Sequence, residues 1–225
     1  MPTKQALSIV VLISGSGSNL QAIIDAIESQ QLNAEIKAVI SNQPEAYGLI
    51  RASKAGIKTH TLNHRDYNDR ESFDQALIKL IDQHQPDYVV LAGFMRILTE
   101  NFVTHYQYRM LNIHPSLLPE FRGLNTHQRA IDAGRSEHGV SIHFVTNELD
   151  SGPMVIQAMV KVETSDTAET LADKVHQQEH IIYPMVIQWL AEQRLKFINE
   201  HLVFDQQSLR KPLIWDNAHL MNPNS

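Results

Sequence analysis

Leu7-Ser8-Ile9-Val10-Val11-Leu12-Ile13-Ser14-Gly15-Ser16-Gly17-Ser18-Asn19 is the stretch that decides the class of fold. Its first seven residues form a mostly β-branched run, the pattern of a strand covered on both faces. A turn of small residues follows, and after it Leu20, Ile23, Ile24 and Ile27 recur at the spacing of one apolar helix face. A second apolar run begins at Ile36 and ends at Ser41. Strand, glycine turn, helix and strand make a β-α-β unit, whose crossover is expected to be right-handed and its strands parallel.

Outward from this opening the alternation continues. Residues 47–55 read as a helix stopped by Gly56, 59–62 as a short strand, and 69–84 as a helix with Phe73, Leu77, Leu80 and Ile81 on one side. Residues 88–92 follow Pro86 as a buried strand, 100–106 as a short helix, and 110–113 as a strand ending at His114-Pro115. Residues 126–133 read as a helix, 139–144 and 154–160 as strands. Asp166 with Glu169 gives a capping box for a long helix to about residue 195, kinked at Pro184. The polar tail after Phe197 reads as a terminal hairpin. The predicted architecture is α/β, a mostly parallel twisted sheet flanked by helices, Rossmann-like in kind. It is expected as a single domain over 1–225, with halves at about 7–105 and 106–197 and a C-terminal tail at 198–225.

Composition narrows the function. The chain has 225 residues, 43% hydrophobic and 20% charged, enough to bury a core of its own. It contains no cysteine, which excludes disulfides, thiolate metal sites and a cysteine nucleophile, and fits a reducing compartment. No apolar run approaches the length of a membrane span, and the N-terminus lacks the pattern of a signal peptide, so a cytoplasmic protein without a membrane partner is expected. Net charge is −6 with no basic block, which disfavours a nucleic-acid partner.

The turn Ser14–Asn19 offers backbone N–H groups beside the positive end of a helix, a site for an anion. A dinucleotide fingerprint would place glycine where Leu20 stands and an acid where Ser41-Asn42 stand; a P-loop would need a Gly-Lys-Ser/Thr. Two readings remain, a phosphate monoester site and a turn that packs helix on strand.

The most informative stretch is Asn112-Ile113-His114-Pro115-Ser116-Leu117-Leu118-Pro119. Strand alternation puts Asn112 and His114 on one face, and Pro115 holds His114 extended at the strand's end. Open α/β sheets bind ligands at that edge. An amide donor beside a histidine suits acyl transfer, through oxyanion stabilisation and proton movement. A nearby carboxylate would favour the charged ring, and Asp150, between two strands, is the candidate.

Taken together, Ser14-Gly15, Leu91-Ala92-Gly93-Phe94-Met95-Arg96-Ile97-Leu98, the Asn112–Pro119 stretch, His143-Phe144-Val145, Glu148-Leu149-Asp150 and Gln178-Glu179-His180 resemble the phosphoribosylglycinamide formyltransferase family, the folate-dependent GAR transformylases. The likeness runs unbroken over about residues 8 to 195. It implies 10-formyltetrahydrofolate as co-substrate, phosphoribosylglycinamide (GAR) as acceptor, and purine biosynthesis as setting. It implies Asn112, His114 and Asp150 as the catalytic set, with Asp150 raising the His114 pKa. Gly17, Ser18 and Asn19 would hold the phosphate, and His176, Gln177, Gln178 and Glu179 the rest of that substrate. Arg70, Met95, Arg96, Ile97, Leu98, Asn112, Thr146, Asn147, Glu148, Leu149 and Asp150 would line the folate site. No metal is implied, and a monomer or weak homodimer is expected. Two features depart from the family pattern: Ser16 stands where asparagine is common, and Glu120-Phe121-Arg122-Gly123-Leu124 is more charged than usual.

Rivals follow from the same residues. Methionyl-tRNA formyltransferase shares the Asn-x-His centre but carries a further C-terminal domain, for which about 30 residues are too few. Formyltetrahydrofolate deformylase uses water as acceptor and usually carries an extra N-terminal domain. His176-Gln177-Gln178-Glu179-His180 matches an inverted zinc-protease signature, yet the motif is short and the chain has 12 histidines. A folate- or phosphate-binding protein without catalysis would not need the Asn112–His114–Asp150 combination. His60 and His64 read as solvated surface residues.

Overall fold

A computed structural model describes residues 5–216 and 218–224. In chain order it contains β1 (Leu7–Ile13), α1 (Ser18–Glu28), β2 (Ala34–Ser41), α2 (Tyr47–Lys54), β3 (Thr59–Thr61), α3 (Arg70–Asp82), β4 (Tyr88–Leu91) and α4 (Glu100–His105). There follow β5 (Met110–His114), α5 (Thr126–Asp132), β6 (Glu137–Phe144), β7 (Met154–Lys161), α6 (Ala168–Ala191), β8 (Leu195–Ile198), β9 (His201–Phe204), β10 (Gln207–Ser208), β11 (Leu213–Asp216) and β12 (His219–Met221).

The main sheet runs in the order β12-β11-β7-β6-β5-β4-β1-β2-β3. Strands β3, β2, β1, β4 and β5 are mutually parallel, and β6 turns antiparallel to both β5 and β7. The predicted α/β class holds, and the uninterrupted apolar runs of β1 and β4 have the reason assigned to them. Ile9, Val11 and Ile13 of β1 pack with α1 and α6 on one face of the sheet. Val10 and Leu12 pack with Phe73, Leu77 and Phe102 of α3 and α4 on the other. No described helix is long and apolar enough to cross a membrane.

Strand β5 continues the same logic into the site. Leu111 and Ile113 join the α1–α6 core while Met110 joins the α3–α4 core, so Asn112 and His114 extend the Met110 face towards the strand's end. On the other side Tyr183 of α6 is fully buried, and its hydroxyl donates to the carbonyl oxygens of Leu91 (2.8 Å) and Leu111 (3.3 Å). That contact fixes α6 under β4 and β5, one helical turn beyond Glu179.

Three local expectations are corrected. The capping box of α6 is formed by Thr167 and Thr170, one residue later than Asp166 and Glu169. The Asp166 carboxylate is already engaged by the Glu163 N–H (2.7 Å) and the Lys174 ammonium (2.6 Å). The helix also ends at Ala191, before residue 195: Gln193 is left-handed (φ 61°), and the Gln193 and Arg194 N–H groups bond back to Leu190 and Trp189. This is a Schellman end built without glycine, so the sequence carried no stop signal. The tail is more than a hairpin. Strands β8–β10 form a small separate sheet, while β11 adds to the main sheet parallel to β7, with β12 at its edge.

The surface reading of two histidines also changes. His60 Nε2 lies 3.1 Å from His84 Nε2, and His64 Nδ1 lies 2.9 Å from the Asn42 carbonyl; both rings are half-buried. α6 runs on through Pro184 as one continuous helix.

Candidate active site

The site lies at the carboxyl ends of β1, β4 and β5. Leaving β1, Ser14 gathers the neighbouring strand ends: its hydroxyl donates to Asn42 Oδ1 (2.5 Å) and accepts from the Met95 N–H (2.8 Å). Gly17 then enters α1 with φ 70°, and no side chain caps the helix, so its first-turn N–H groups stay open to an anion. The glycine is required twice over. Its backbone is left-handed, and a Cβ there would lie 2.6 Å from the Gly48 Cα. Gly48 is equally confined, against Ile13 and Gly17, so α1 and α2 meet backbone to backbone. Arg51 closes the arrangement, its Nε donating to the Ser16 carbonyl (2.9 Å). The contact uses the Ser16 backbone, so the missing asparagine side chain does not affect it.

Asn19 faces inward from α1, and its Nδ2 donates to Glu179 Oε2 of α6 (2.7 Å). Both side chains are buried, and Asn19 Oδ1 has no partner. Burial pushes the Glu179 carboxyl above its usual range, against the opposing pulls of Asn19, His176 and His114. Glu179 is therefore a buried acid aimed at the site. His176, one turn earlier, is exposed but close enough to act on it; Gln177 is turned to solvent and Gln178 is half-buried. Helical periodicity thus brings Glu179, and not Gln177, to the cluster. His176 and His180 stack with centroids 6.3 Å apart, and no group of three metal-ligating side chains occurs among the described residues.

His114 and Asp150 meet, although β6 separates them in sequence, and Asn112 lies on the same face of β5 as His114. His114 Nδ1 is 3.5 Å from Asp150 Oδ2, with both side chains 7% exposed. His114 Nε2 is 3.0 Å from the Phe121 carbonyl, so both ring nitrogens face acceptors. Asp150 is itself left-handed (φ 47°), and its Oδ2 also accepts the Gly123 N–H at 2.9 Å. That bond ties the 145–153 loop to the 116–125 loop. Of the charged residues that set this second loop apart, Arg122 strengthens the tie and Glu120 fastens the loop to the end of α5. Arg122 bonds Glu148 (2.9 Å) and Ser151 (3.2 Å), and Glu120 pairs with Arg135 (2.7 Å).

Sequence reasoning gave no role to His143. It stands directly across from Asn112 in the β5–β6 ladder, with Nε2 3.2 Å from Asn112 Nδ2 and 3.8 Å from Asp150 Oδ1. Burial pushes its pKa down; the Phe144 carbonyl and the Asp150 charge pull it partly back, while His114 lowers it further. Only an antiparallel register brings residues 112 and 143 together, and periodicity does not encode register.

The segments proposed for a folate form an apolar margin. Met95 (68% exposed) and Ile97 (59%) follow β4, and Leu149 (50%) stands in the Asp150 loop, each a bare apolar side chain. Arg96 and Leu98 are half-buried, with the Arg96 guanidinium 4.4 Å above the Phe73 ring. Thr146 is half-buried, Asn147 and Glu148 are exposed, and Arg70 is exposed at the start of α3.

Comparison with known proteins gives the family of the chain. Residues 7–187 match the formyl transferase family. The chain is 53% identical over 203 residues to the phosphoribosylglycinamide formyltransferase of Escherichia coli, covering 90% of this chain and 96% of that one. It is 44% identical over 188 residues to the human trifunctional purine biosynthetic protein adenosine-3, covering 84% of this chain and 19% of that one. The solved phosphoribosylglycinamide formyltransferase of Coxiella burnetii superposes with a TM-score of 0.87 at 53% identity, over 91% of this chain and 96% of that one. The glycinamide ribonucleotide transformylase 1 of Symbiobacterium toebii does so at 0.86 and 40% identity, over 90% and 95%. The chain belongs to the formyl transferase family, among its phosphoribosylglycinamide formyltransferases.

Proposed function

We propose that this protein transfers the formyl group of 10-formyltetrahydrofolate to the amine of 5'-phosphoribosylglycinamide, a step of purine biosynthesis. The observation that carries the reading is the pairing of His114 with Asp150 at the end of β5, on the strand face that also carries Asn112, with an uncapped glycine turn after β1 and the buried Glu179. The turn takes the substrate phosphate through the first N–H groups of α1. Asn19 and Glu179 hold the middle of the same molecule, and the Met95–Ile97–Leu149 margin receives the pterin.

The amine nitrogen attacks the formyl carbon, and the carbonyl becomes a tetrahedral oxyanion. Asn112 Nδ2 and His114 Nε2 donate to that oxygen. Here Nε2 is turned to the Phe121 carbonyl (3.0 Å), so the oxyanion replaces an existing acceptor and need not desolvate a bare donor. The Asp150 carboxylate, 3.5 Å from Nδ1, holds the ring with Nε2 turned to the Phe121 carbonyl. The intermediate collapses by breaking the bond from the formyl carbon to the folate nitrogen. One proton leaves the attacking amine and one reaches the departing nitrogen, so reduced folate and formylated amide are the products. The enzyme is read as cytoplasmic, acting as a monomer or weak homodimer, in keeping with a chain without cysteine.

The test is a spectrophotometric formyl-transfer assay with a 10-formyl folate, with and without GAR. Folate release that depends on GAR supports the reading. Equal release without it would make water the acceptor and the protein a deformylase, and no release in either case would overturn catalysis.

A further inference from the structure

We infer that His143 is a positioning residue that sets the orientation of the Asn112 amide, by presenting it with a bare ring nitrogen. The inference rests on the reading of Asn112 as an oxyanion donor and extends it to a residue outside the catalytic set.

The ring of His143 has its two nitrogens in different surroundings. Nδ1 lies 3.0 Å from the Phe144 carbonyl oxygen, which only accepts, so Nδ1 carries the proton. The ring is 2% exposed and held neutral by burial, so Nε2 is left without a hydrogen. A bare nitrogen 3.2 Å from the end of Asn112 is matched only by the Nδ2 end of the amide. Asn112 therefore donates one Nδ2 hydrogen to His143 and keeps the other for the site. With the opposite tautomer, or a charged ring, Nε2–H would face Nδ2–H and the amide would turn over. Its Oδ1 would then take the donor's place, setting a lone pair against a developing negative charge. Asp150 Oδ1, 3.8 Å from Nε2, is too distant to bond it but would attract a protonated ring.

The backbone makes the choice rigid. Asn112 and His143 are paired partners in the continuous β5–β6 ladder, while on the other side of β6 the β6–β7 ladder shifts register immediately after Ile142. The acceptor for Nδ1 is the carbonyl of the next residue, Phe144, whose ring is buried against Phe197 at 4.7 Å. A fixed carbonyl thus fixes a tautomer, and the tautomer fixes an amide.

The experiment compares H143L, which has no acceptor, with H143Q, whose amide oxygen supplies one, alongside N112A and the N112A/H143L double variant. Turnover and KM for both substrates are measured in each. Long-range 1H–15N correlation on histidine-labelled wild-type protein reads the tautomer, with the His143 signal identified by its absence in H143Q. The inference expects the Nδ1–H form in the wild type and a kcat about 10- to 100-fold lower in H143L with KM little changed. H143Q should recover most of the loss, and the double variant should be no slower than N112A, because the two residues act as one unit. An Nε2–H tautomer, an H143L kcat within about twofold of wild type, or multiplicative losses in the double variant would each overturn it. If H143L melts early, H143Q and the tautomer decide: an unchanged fold with no recovered turnover in H143Q overturns the inference. Full turnover in N112A would instead sink the reading of Asn112 itself, whereas loss in N112A with none in H143L sinks only the role of His143.

Discussion

On the glycine-turn side of the cleft the protein presents backbone, and on the β5–β6 side it presents side chains. The first wall is made by Gly17 and Gly48 in contact, with an uncapped helix start and the Ser16 carbonyl held by Arg51. The second is made by Asn112, His114, His143 and Asp150, drawn from two strands and a loop, with Asn112 joined to His143 across 31 residues of chain and His114 to Asp150 across 36. A backbone wall offers fixed dipoles and tolerates little change in shape. A side-chain wall can move protons and change charge, but it has to be held in place by its neighbours, as Gly123 and Arg122 hold the Asp150 loop. The difference assigns binding to one wall and chemistry to the other, so substitutions on the two should separate KM from kcat.

The sharpest test of that division is Asn112→Ala, expected to lower kcat by about 100- to 1,000-fold with little change in KM for the phosphorylated substrate. A rise in KM with kcat intact would erase the distinction between the walls. Asp150→Asn comes next, since an amide oxygen can still accept from Gly123 while the charge opposite His114 is gone. We expect turnover about 100-fold lower with unchanged melting temperature and ligand affinity; normal turnover across pH would remove Asp150 from the set. On the other wall, Gly17→Ala should cost more than about 2 kcal/mol in chemical denaturation, because its φ of 70° disfavours any side chain and a Cβ would lie 2.6 Å from the Gly48 Cα. It should also raise KM for GAR more than it lowers kcat, and an effect on kcat alone would contradict the backbone role.

The smallest effect falls on the bridge between the walls. Burial holds the Glu179 carboxyl above its ordinary pKa, so the folded state favours its neutral form. The contribution to stability is present at low pH and is lost as pH rises through the raised folded value. Glu179→Gln keeps an acceptor for Asn19 without the charge. Denaturation midpoints should therefore favour the variant at neutral pH and converge with wild type on acidification. A gap that widens on acidification would show the charged form to be the favoured one.

The two walls also differed in how far they could be read in advance. Gly15, Gly17 and the apolar spacing after them are neighbours in sequence, so the turn and its helix were legible from a dozen residues. Even there the reading left open whether the turn binds or only packs; Gly48, which makes Gly17 irreplaceable, lies 31 residues away. The Asn112–His114 face followed from strand alternation alone, but His143 did not, because pairing partners are set by register. The end of α6 at Ala191 and the tail strand β11 failed for a related reason: one is set by Gln193, a left-handed residue without glycine, the other is a four-residue strand completed only by β7.

The sequence by itself determined the layered α/β architecture, the anion-ready turn, and the pair of residues at the end of β5. These depend on period and local backbone preference, which act over a few residues. Only the tertiary structure decided that Asn19 meets a buried Glu179, that His114 stands between Asp150 and the Phe121 carbonyl, and that His143 meets Asn112 through one nitrogen. Burial and long-range hydrogen bonding select those partners, charges and tautomers, and neither exists until the chain has closed on itself.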